Sequence, residues 1–260
     1  MTVIVSPRRI RPRVIPVLLL RDGQLYKTEN FRDPKYIGDP RVAVKIFNDK
    51  GCDELVLLDI SATPEHRTPD YSLIEEIVTE SFMPVAYGGG VSSADQARQI
   101  VSLGVEKVVL NSHAITTPTL ISEVSALVGA SSTVVSVDVK TDWLRRRRVV
   151  SHCGKRTTSL EPAVWARRAV ELGAGEIVIN SIDKDGTMNG YDVALVRDVA
   201  QAVDVPVVAL GGAGSLQHFG DAIEAGATAA AAGSLFVFQG PHRAVLITYP
   251  DEAQLSWLAA

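Results

Sequence analysis

Cysteine is scarce in this sequence: the 260 residues contain two, Cys52 and Cys153, and neither belongs to a CxxC pair. So few thiols exclude a disulfide framework and a cysteine-based zinc motif, and they favour a reducing compartment. The five histidines also lack the spacing of a zinc site. We therefore predict a cytoplasmic protein with neither a bound metal nor a cofactor.

Long apolar runs are also missing. No segment approaches the roughly 20 apolar residues that a membrane span requires, and the short apolar stretch at the N-terminus precedes its arginines, unlike that of a signal peptide. The formal net charge is −4, so no overall basic field would attract nucleic acid or an anionic membrane. We expect neither as a partner.

What the sequence does contain is an alternation of short apolar, β-branched runs with amphipathic segments. This alternation is typical of parallel strands buried on both faces, with helices between them. It predicts an α/β fold, an eight-stranded (β/α)8 TIM barrel forming a single domain over residues 1–260 with its core at about 13–245. The predicted strands end near Leu20, Asp59, Gly88, Asn111, Asp138, Ser181, Leu210 and Gly233.

An internal repeat divides the predicted barrel into two half-barrels. The segment that begins MPVAYGGGV aligns with the one that begins VPVVALGGA. Pro84 and Pro206, like Gly90 and Gly212, lie 122 residues apart. Four parallel strands alone would leave an open edge, so we interpret the repeat as two halves of one barrel.

Two connections are longer than the others, Arg21 to Asp39 and Lys140 to Ser159. Each follows a predicted strand, so both are expected on the face that carries the chemistry of this architecture. The run Arg145 to Arg148 lies in the second connection. It is interpreted either as part of a solvated hairpin or as a contact for an anionic substrate or partner.

Glycine-rich loops follow two matched strands. YGGGVSS and LGGAGS each precede a helix, with N-caps predicted at Ser92 or Ser93 and at Ser215. Glycine permits close approach of the backbone to a ligand, and a helix N-terminus favours an anion. Tight barrel turns are the alternative, but the matched positions favour a ligand with two phosphate groups, or a site inherited from one. The predicted phosphate-binding residues are Gly89, Gly90, Asn111 and Ser112, the first cradle, and Gly211, Gly212, Gly233 and Ser234, the second cradle.

Acidic residues also cluster at predicted strand ends. Asp138 stands among valines in SVDVK, while Asp183 and Asp185 lie in SIDKDGT. Desolvation in a barrel mouth raises the pKa of a carboxyl group and suits it to acid/base catalysis. Asp138 is therefore the candidate catalytic residue. Asp183 and Asp185 are further acid/base candidates, although DKDG is also a good turn sequence.

Several long segments together resemble the HisF family, the cyclase subunit of imidazole glycerol phosphate synthase. They are DELVLLDISAT, YGGGV, VVSVDVK, GAGEIVINSIDKDGTMNGYD and GGAGS. The resemblance implies a lyase or synthase subunit of a glutamine amidotransferase complex, which receives ammonia from a HisH-like glutaminase and uses it at the opposite face. It also implies that Asp138 is one of two catalytic aspartates and that Lys27 and Phe31 belong to a loop that closes over the substrate. The residues matching the family's ammonia gate form the charged ring: Arg13, Glu54, Lys107 and Glu176.

The sequence departs from this family at the first strand. Leu19 occupies the place of the second catalytic aspartate, and leucine can neither donate nor accept a proton. YKTENFRDPKYIGDP and AAGSLFVFQGPHRAVLITYP resemble more closely the HisF-like branch of acetamidino sugar modification in surface polysaccharide (LPS/O-antigen) biosynthesis. That branch implies a sugar amidotransferase partner and a phosphorylated small-molecule or nucleotide-sugar ligand.

Three alternatives stay open. The chain is a histidine-pathway cyclase in which Asp183 or Asp185 replaces the lost aspartate, a non-catalytic conduit or scaffold, or a relative of the sugar-phosphate isomerase that resembles HisF. The isomerase also places an aspartate on the first strand, which weakens that alternative.

Overall fold

The computed structural model describes residues 11–259. The first ten residues of the predicted domain and Ala260 lie outside the described residues. The strands are β1 (Arg13–Arg21), β2 (Gln24–Glu29), β3 (Arg32–Gly38), β4 (Leu55–Asp59), β5 (Val85–Gly88), β6 (Lys107–Leu110), β7 (Thr133–Thr141), β8 (Arg147–Ser151), β9 (Arg156–Thr157), β10 (Glu176–Ser181), β11 (Val207–Leu210), β12 (Ala229–Ala232), β13 (Phe238–Gln239) and β14 (Ala244–Val245). The α-helices are α1 (Pro40–Asp49), α2 (Tyr71–Glu80), α3 (Ala94–Ser102), α4 (Ser112–Thr116), α5 (Thr119–Val128), α6 (Pro162–Glu171), α7 (Val193–Ala200), α8 (Leu216–Glu224), α9 (Ser234–Val237) and α10 (Glu252–Leu255).

Eight parallel strands close into a barrel in the order β1-β4-β5-β6-β7-β10-β11-β12, with β12 pairing back to β1. The predicted (β/α)8 TIM barrel is thereby confirmed. The predicted strand ends agree with the observed ones to within three residues. Between residues 11 and 259, no helix is both long and apolar enough to cross a membrane.

The apolar runs form barrel strands because both of their faces are buried. On β1, Val14 and Leu18 pack outward under the helices, whereas Ile15 and Leu19 point into the barrel. The side-chain period of two therefore separates an outer core layer from the barrel interior. The interior cluster consists of Ile15, Val17, Leu19, Val56, Ala86, Val109, Val134, Val178, Val208, Leu210, Ala229 and Ala231.

The helix starts near the glycine loops agree with the predicted caps. Ser93, not Ser92, is the N-cap of α3, and its Oγ accepts a hydrogen bond from the backbone N–H of Gln96 at 3.3 Å. Ser215 is the N-cap of α8, where its side chain makes no capping hydrogen bond. An N-cap oxygen satisfies a donor that the first helical turn leaves free.

The two long connections are β-hairpins. After β1, strands β2 and β3 form the first hairpin, and after β7, strands β8 and β9 form the second hairpin. Asp22 and Gly23, both with positive φ, make the two-residue turn between β1 and β2. Both hairpins leave the carboxyl ends of their barrel strands, the face on which we expected them.

The strand register establishes which positions in the two half-barrels are equivalent. Leu19 pairs with Leu58 on β4, and Asp138 pairs with Asn180 on β10. Leu58 and Asn180 lie 122 residues apart, the offset of the sequence repeat. Leu19 and Asp138 therefore occupy equivalent positions, on strands that stand opposite each other in the closed barrel.

Candidate functional site

A cavity of about 420 Å³ opens at the carboxyl ends of the barrel strands. It is where the active sites of this architecture lie. Most of the predicted site residues line it: Leu19, Lys27, Phe31, Gly89, Gly90, Asn111, Ser112, Asp138, Asp185 and Gly233. Besides the four residues of the charged ring, four predicted residues lie outside that lining: Asp183, Gly211, Gly212 and Ser234.

Asp138 lies near the end of β7, with 9% of its surface exposed. Its Oδ1 accepts a hydrogen bond from Asn180 Nδ2 at 2.9 Å, and its Oδ2 accepts one from Asn111 Nδ2 at 3.0 Å. Burial raises the pKa of Asp138 to about 6; the bond from Asn180 opposes this shift, and the charge of Asp185 adds to it. Such a carboxylate is ionised at neutral pH and is basic enough to accept a proton during catalysis.

Leu19 forms the opposite wall of the cavity. Its side chain is 8% exposed and belongs to the apolar cluster of the barrel interior. The equivalent positions of the two half-barrels therefore differ chemically, since one presents a carboxylate and the other a hydrocarbon. Leu19 supplies no proton donor or acceptor to face Asp138.

The two further acid/base candidates have different surroundings. Asp183 is exposed and accepts a hydrogen bond from the backbone N–H of Thr141 at 2.8 Å. Asp185 is buried in the cavity wall, where Lys27 Nζ donates to both of its carboxylate oxygens at 3.0 and 3.1 Å. The structure thus brings only Asp185 of this pair into the cavity, and it does so within an ion pair.

The first cradle faces the cavity directly. Gly89 and Gly90 have φ of +119° and +71°, and a Cβ on Gly90 would come within 2.7 Å of the carbonyl oxygen of Arg67. Glycine is therefore required for this path of the loop. The backbone N–H of His152, from the second hairpin, donates to Ser112 Oγ at 2.9 Å.

The second cradle is covered by Lys27. A Cβ on Gly233 would lie 2.8 Å from Cε of Lys27, so a larger residue would displace the end of this lysine. Ser234 Oγ is buried next to it and has no hydrogen-bond partner within residues 11–259. The structure therefore brings Gly233 to the cavity, while Gly211, Gly212 and Ser234 are not part of its lining.

The charged ring lies at the other end of the barrel, at the amino ends of β1, β4, β6 and β10. Lys107 Nζ is 3.0 Å from both carboxylate oxygens of Glu54 and 3.3 Å from both of Glu176. Arg13 donates to Glu54, and to Glu176 at 2.6 Å. Burial alone would lower the pKa of Arg13, but the carboxylates of Glu176 and Glu54 outweigh it and raise the value. All four predicted residues are thus in contact.

The arginine run pairs mostly with acidic groups of its own chain. Arg147 forms ion pairs with Asp192 at 2.7 Å and Asp198 at 2.9 Å, and Arg146 pairs with Asp142 at 2.8 Å. These contacts favour the solvated-hairpin interpretation over an anion site.

Asn180 and Cys153 are among the cavity residues that the sequence interpretation missed. Asn180 was visible only as a polar residue inside the apolar run EIVINS, which gave no indication of its contact with Asp138. Cys153 lines the cavity from the second hairpin, and burial raises the pKa of its thiol to about 11. A thiol with such a pKa is protonated at neutral pH and is a poor nucleophile. Within the described range, no three His, Cys, Asp or Glu side chains are grouped to hold a metal.

Comparison with known proteins identifies the family. The model of the family described as "Histidine biosynthesis protein" matches residues 13–242. The chain belongs to this family. Among its relatives is the "Putative imidazole glycerol phosphate synthase subunit HisF" of Leptospira borgpetersenii, 48% identical over 244 residues, which are 93% of this chain and 96% of the relative. The "Putative imidazole glycerol phosphate synthase subunit hisF2" of Pseudomonas aeruginosa is 48% identical over 247 residues, 95% and 98% of the two chains.

A third HisF relative is the "Imidazole glycerol phosphate synthase subunit HisF" of Alkaliphilus metalliredigens. It is 42% identical over 228 residues, 87% of this chain and 90% of the relative. The predicted membership of the HisF family is confirmed. The names of these relatives agree better with the histidine-pathway alternative than with acetamidino sugar modification, and the latter branch stays a prediction.

Proposed function

We propose that the chain is the HisF-type synthase subunit of a glutamine amidotransferase complex. In this proposal a HisH-like glutaminase docks at the charged ring, and ammonia crosses the barrel interior to react with a phosphorylated substrate in the cavity. The observation that carries the proposal is the placement of the charged ring and of Asp138 at opposite ends of one closed barrel. The HisF names of the relatives support it.

The charged ring has the properties of a gate for a neutral molecule. Its two cations and two carboxylates satisfy one another, so a passage requires one side chain to move. The side chain of Arg13 is 30% exposed, against 12% for Lys107, which makes Arg13 the better placed to swing out. Beyond the ring the barrel interior is apolar, so ammonium would lose its hydration there at a high cost, while neutral ammonia would not.

The barrel interior suits the transfer of ammonia. Its inward side chains include three alanines, Ala86, Ala229 and Ala231, among valines and leucines. Hydrocarbon walls neither hydrogen-bond to ammonia nor protonate it, so ammonia would reach the cavity as a nucleophile.

In the cavity, the chain's own residues supply binding and proton transfer. Backbone amides of the first cradle would bind a substrate phosphate. Asp138 would accept the proton that the ammonia nitrogen loses after it attacks the substrate. Lys27 would contribute a positive charge beside the second cradle once a second phosphate competes with Asp185 for it.

The first candidate reaction is the formation of imidazole glycerol phosphate from an open-chain bis-phosphate ribulosyl intermediate. The names of the relatives favour it. Ring closure needs proton transfer on opposite sides of the substrate, and Leu19 supplies none. Asp185 would have to act as the second proton-transfer group, after its release from Lys27.

The second candidate is ammonia delivery for converting an acetamido group of a sugar to an acetamidino group, with a sugar amidotransferase as partner. Leu19 is the observation that favours it, because no imidazole ring is closed in that reaction. Ammonia conduction, by contrast, still requires the charged ring, which this chain retains.

The test is an assay of the purified chain with the bis-phosphate ribulosyl intermediate and an ammonium salt. Robust formation of imidazole glycerol phosphate that is lost in Asp138→Asn supports the first candidate. Product formation only in Leu19→Asp supports the second. If neither this substrate nor a nucleotide sugar with the amidotransferase incorporates ammonia, the synthase proposal is wrong and the conduit alternative replaces it.

A further inference from the structure

The side-chain amide of Asn180 is held in one orientation at the floor of the cavity. Its Nδ2 donates to Asp138 Oδ1 at 2.9 Å, and turning the amide over would set its oxygen against the carboxylate. Asn180 is 4% exposed, and its Oδ1 has no hydrogen-bond partner anywhere in residues 11–259. Buried acceptors are nearly always paired in folded proteins, so this oxygen points to a ligand.

The chemistry of that ligand follows from the acceptors around it. Asn180 Oδ1 and the Asp138 carboxylate both require an N–H or O–H donor, and both disfavour an anion such as phosphate. Asn111 is already used, because its amide donates to Asp138 and to the Ser136 carbonyl while its oxygen accepts from Ser112 Oγ. The ligand is therefore a small donor of hydrogen bonds.

The position of these two acceptors in the barrel further restricts which ligand would reach them. Asn180 and Asp138 are register partners, and the pair below them, Val178 and Ser136, already belongs to the inward face of the barrel. Asn180 Oδ1 lies beside Gly211 at the end of β11, where a Cβ on this glycine would come within 2.7 Å of it. Asn180 and Asp138 thus lie on the inner rim of the barrel, where its interior meets the cavity. A molecule that leaves the interior reaches them before it reaches the first cradle.

We propose that Asn180 Oδ1 and the Asp138 carboxylate form a binding site for ammonia at the exit of the barrel interior. This site deepens the proposed function and rests on it. Ammonia can donate one N–H bond to each acceptor and keep its lone pair free for attack. A donor on the facing wall would occupy that lone pair, and Leu19 leaves this wall apolar.

A substrate hydroxyl has the same donor chemistry, so the test separates the two sources. Side-chain amide resonances of Asn180 and Asn111 are followed by ¹⁵N–¹H spectroscopy while the full chain is titrated with ammonium chloride. Potassium chloride is the control, because potassium resembles ammonium in size but donates no hydrogen bond. We expect a saturable change with ammonium and none with potassium. The half-saturating total ammonium concentration should fall as the pH is raised toward the pKa of ammonium, because only unprotonated ammonia keeps a lone pair; a value that does not depend on pH would assign the site to the ammonium cation and overturn the proposal. Equal responses to the two salts would show that the spectral change reflects ionic strength alone, and would overturn the proposed ammonia site.

Asn180→Leu removes the acceptor and keeps the volume of the side chain similar. The half-saturating ammonium concentration, read from Asn111, is expected to rise about tenfold, the effect of one lost hydrogen bond to a polar ligand. Leu58→Val, at the equivalent position of the other half-barrel, is the matched control and should leave that concentration unchanged. An unchanged ammonium response in Asn180→Leu would contradict the proposal.

Kinetics of the reconstituted complex separate this inference from the proposed function. Asn180→Leu should raise KM for ammonium about tenfold and leave KM for the phosphorylated substrate unchanged. The reverse pattern would assign the acceptor to a substrate hydroxyl and overturn the ammonia site. Specific ammonium binding without any synthesis would instead leave the site intact and refute the synthase proposal.

Discussion

The carboxyl group of Asp138 sets the pH behaviour expected of the cavity. Burial raises its pKa to about 6, so the group is protonated below this pH and ionised above it. Only the ionised form can accept a proton. Burial in the barrel mouth therefore places the titration of this carboxyl group near neutral pH.

Activity is predicted to rise with pH through about 6 and to level off above it, if Asp138 is the general base. Asp138→Asn should lower kcat by about 10²- to 10⁴-fold, the usual effect of losing a general acid or base, and abolish this limb of the profile. The measurement is kcat against pH with saturating substrate. A profile with the same limb in Asp138→Asn would assign the titration to another group.

Leu19→Asp is predicted to destabilise the fold at neutral pH by about 1–3 kcal/mol, because it buries a second carboxylate opposite Asp138. Burial would raise the pKa of the new group above its unfolded value, so the ionised form carries the penalty and the loss should shrink as pH falls. Chemical denaturation measures this loss of stability at two pH values, about 7.5 and about 5, which lie on either side of a raised carboxyl pKa. Leu19→Asn is the control, and its loss should not depend on pH; equal losses for Leu19→Asp at the two values would contradict the prediction.

Some residue-scale features could be predicted and others could not. Asp138 was identifiable because an acidic residue inside a valine run has few structural reasons to be there. The orientation of Asn180 was not, because it depends on a partner 42 residues away in the chain that only strand pairing brings close. Lys27 was assigned to a closing loop, but its buried pairing with Asp185 depends on a contact across 158 residues.

At the scale of elements, the first hairpin is fastened by the C-terminal turn between β13 and β14. Arg243, in this turn, donates to Glu29 at 2.5 Å and to the carbonyl oxygen of Gly186, while Lys35 donates to the carbonyl oxygen of Arg243 at 2.8 Å. The charged ends of Lys35 and Arg243 both lie over the ring of Phe238, at 4.9 and 5.4 Å. These contacts hold the hairpin that positions Lys27.

Arg243→Ala is predicted to loosen the first hairpin. Hydrogen exchange of the β2 and β3 amides should accelerate, since the ion pair and the cation–π contact together stabilise the closed position by about 1–2 kcal/mol. KM for the phosphorylated substrate should rise several-fold as Lys27 loses its fixed position. Arg168→Ala, which breaks a surface ion pair on α6, is the control and should change neither quantity. Unchanged exchange in Arg243→Ala would show that other contacts hold the hairpin.

The barrel strands were predictable as elements, and a hairpin was one interpretation of the second long connection, whereas the first hairpin was not recognised. Continuous apolar runs report burial on both faces, which is a local signal. The turn signal Asp22-Gly23 was present, yet β3 is mostly exposed and carries no alternating apolar pattern. That turn joins β1 to β2, whereas the turn between β2 and β3 is made by Asn30 and Phe31, both with positive φ, and contains no Asn-Gly or Asp-Gly pair.

At the scale of the whole molecule, closure of the barrel creates the charged ring. From the sequence alone, its four members are isolated charges at the starts of separate strands, up to 163 residues apart. Their proposed role as a gate rests on the resemblance to HisF, and their mutual contacts come from the closed sheet. The fold class was predictable because eight similar apolar runs fit one closed eight-stranded barrel. The side chains that meet in the barrel interior were not, because only closure of the sheet brings them together.

Obstruction of the barrel interior is predicted to uncouple the two ends of the molecule. Ala86→Leu should lower glutamine-dependent synthesis in the complex about tenfold or more, while synthesis driven by external ammonium salt stays within about twofold. Ala209→Leu is the matched control: Ala209 is equally buried but faces the helices, so it should carry a similar overpacking cost of about 1–3 kcal/mol without uncoupling. Equal losses with both nitrogen sources in Ala86→Leu would argue against ammonia transfer along the axis.

Each half-barrel contributes a residue that contacts the cradle of the other half. Lys27 of the N-terminal half covers Gly233 and pairs with Asp185 of the C-terminal half. In return, the C-terminal half donates the His152 N–H to Ser112 of the N-terminal half. Each cradle is therefore contacted by a residue of the other half, so an ancestral single half could present neither cradle in this form without a second copy of itself.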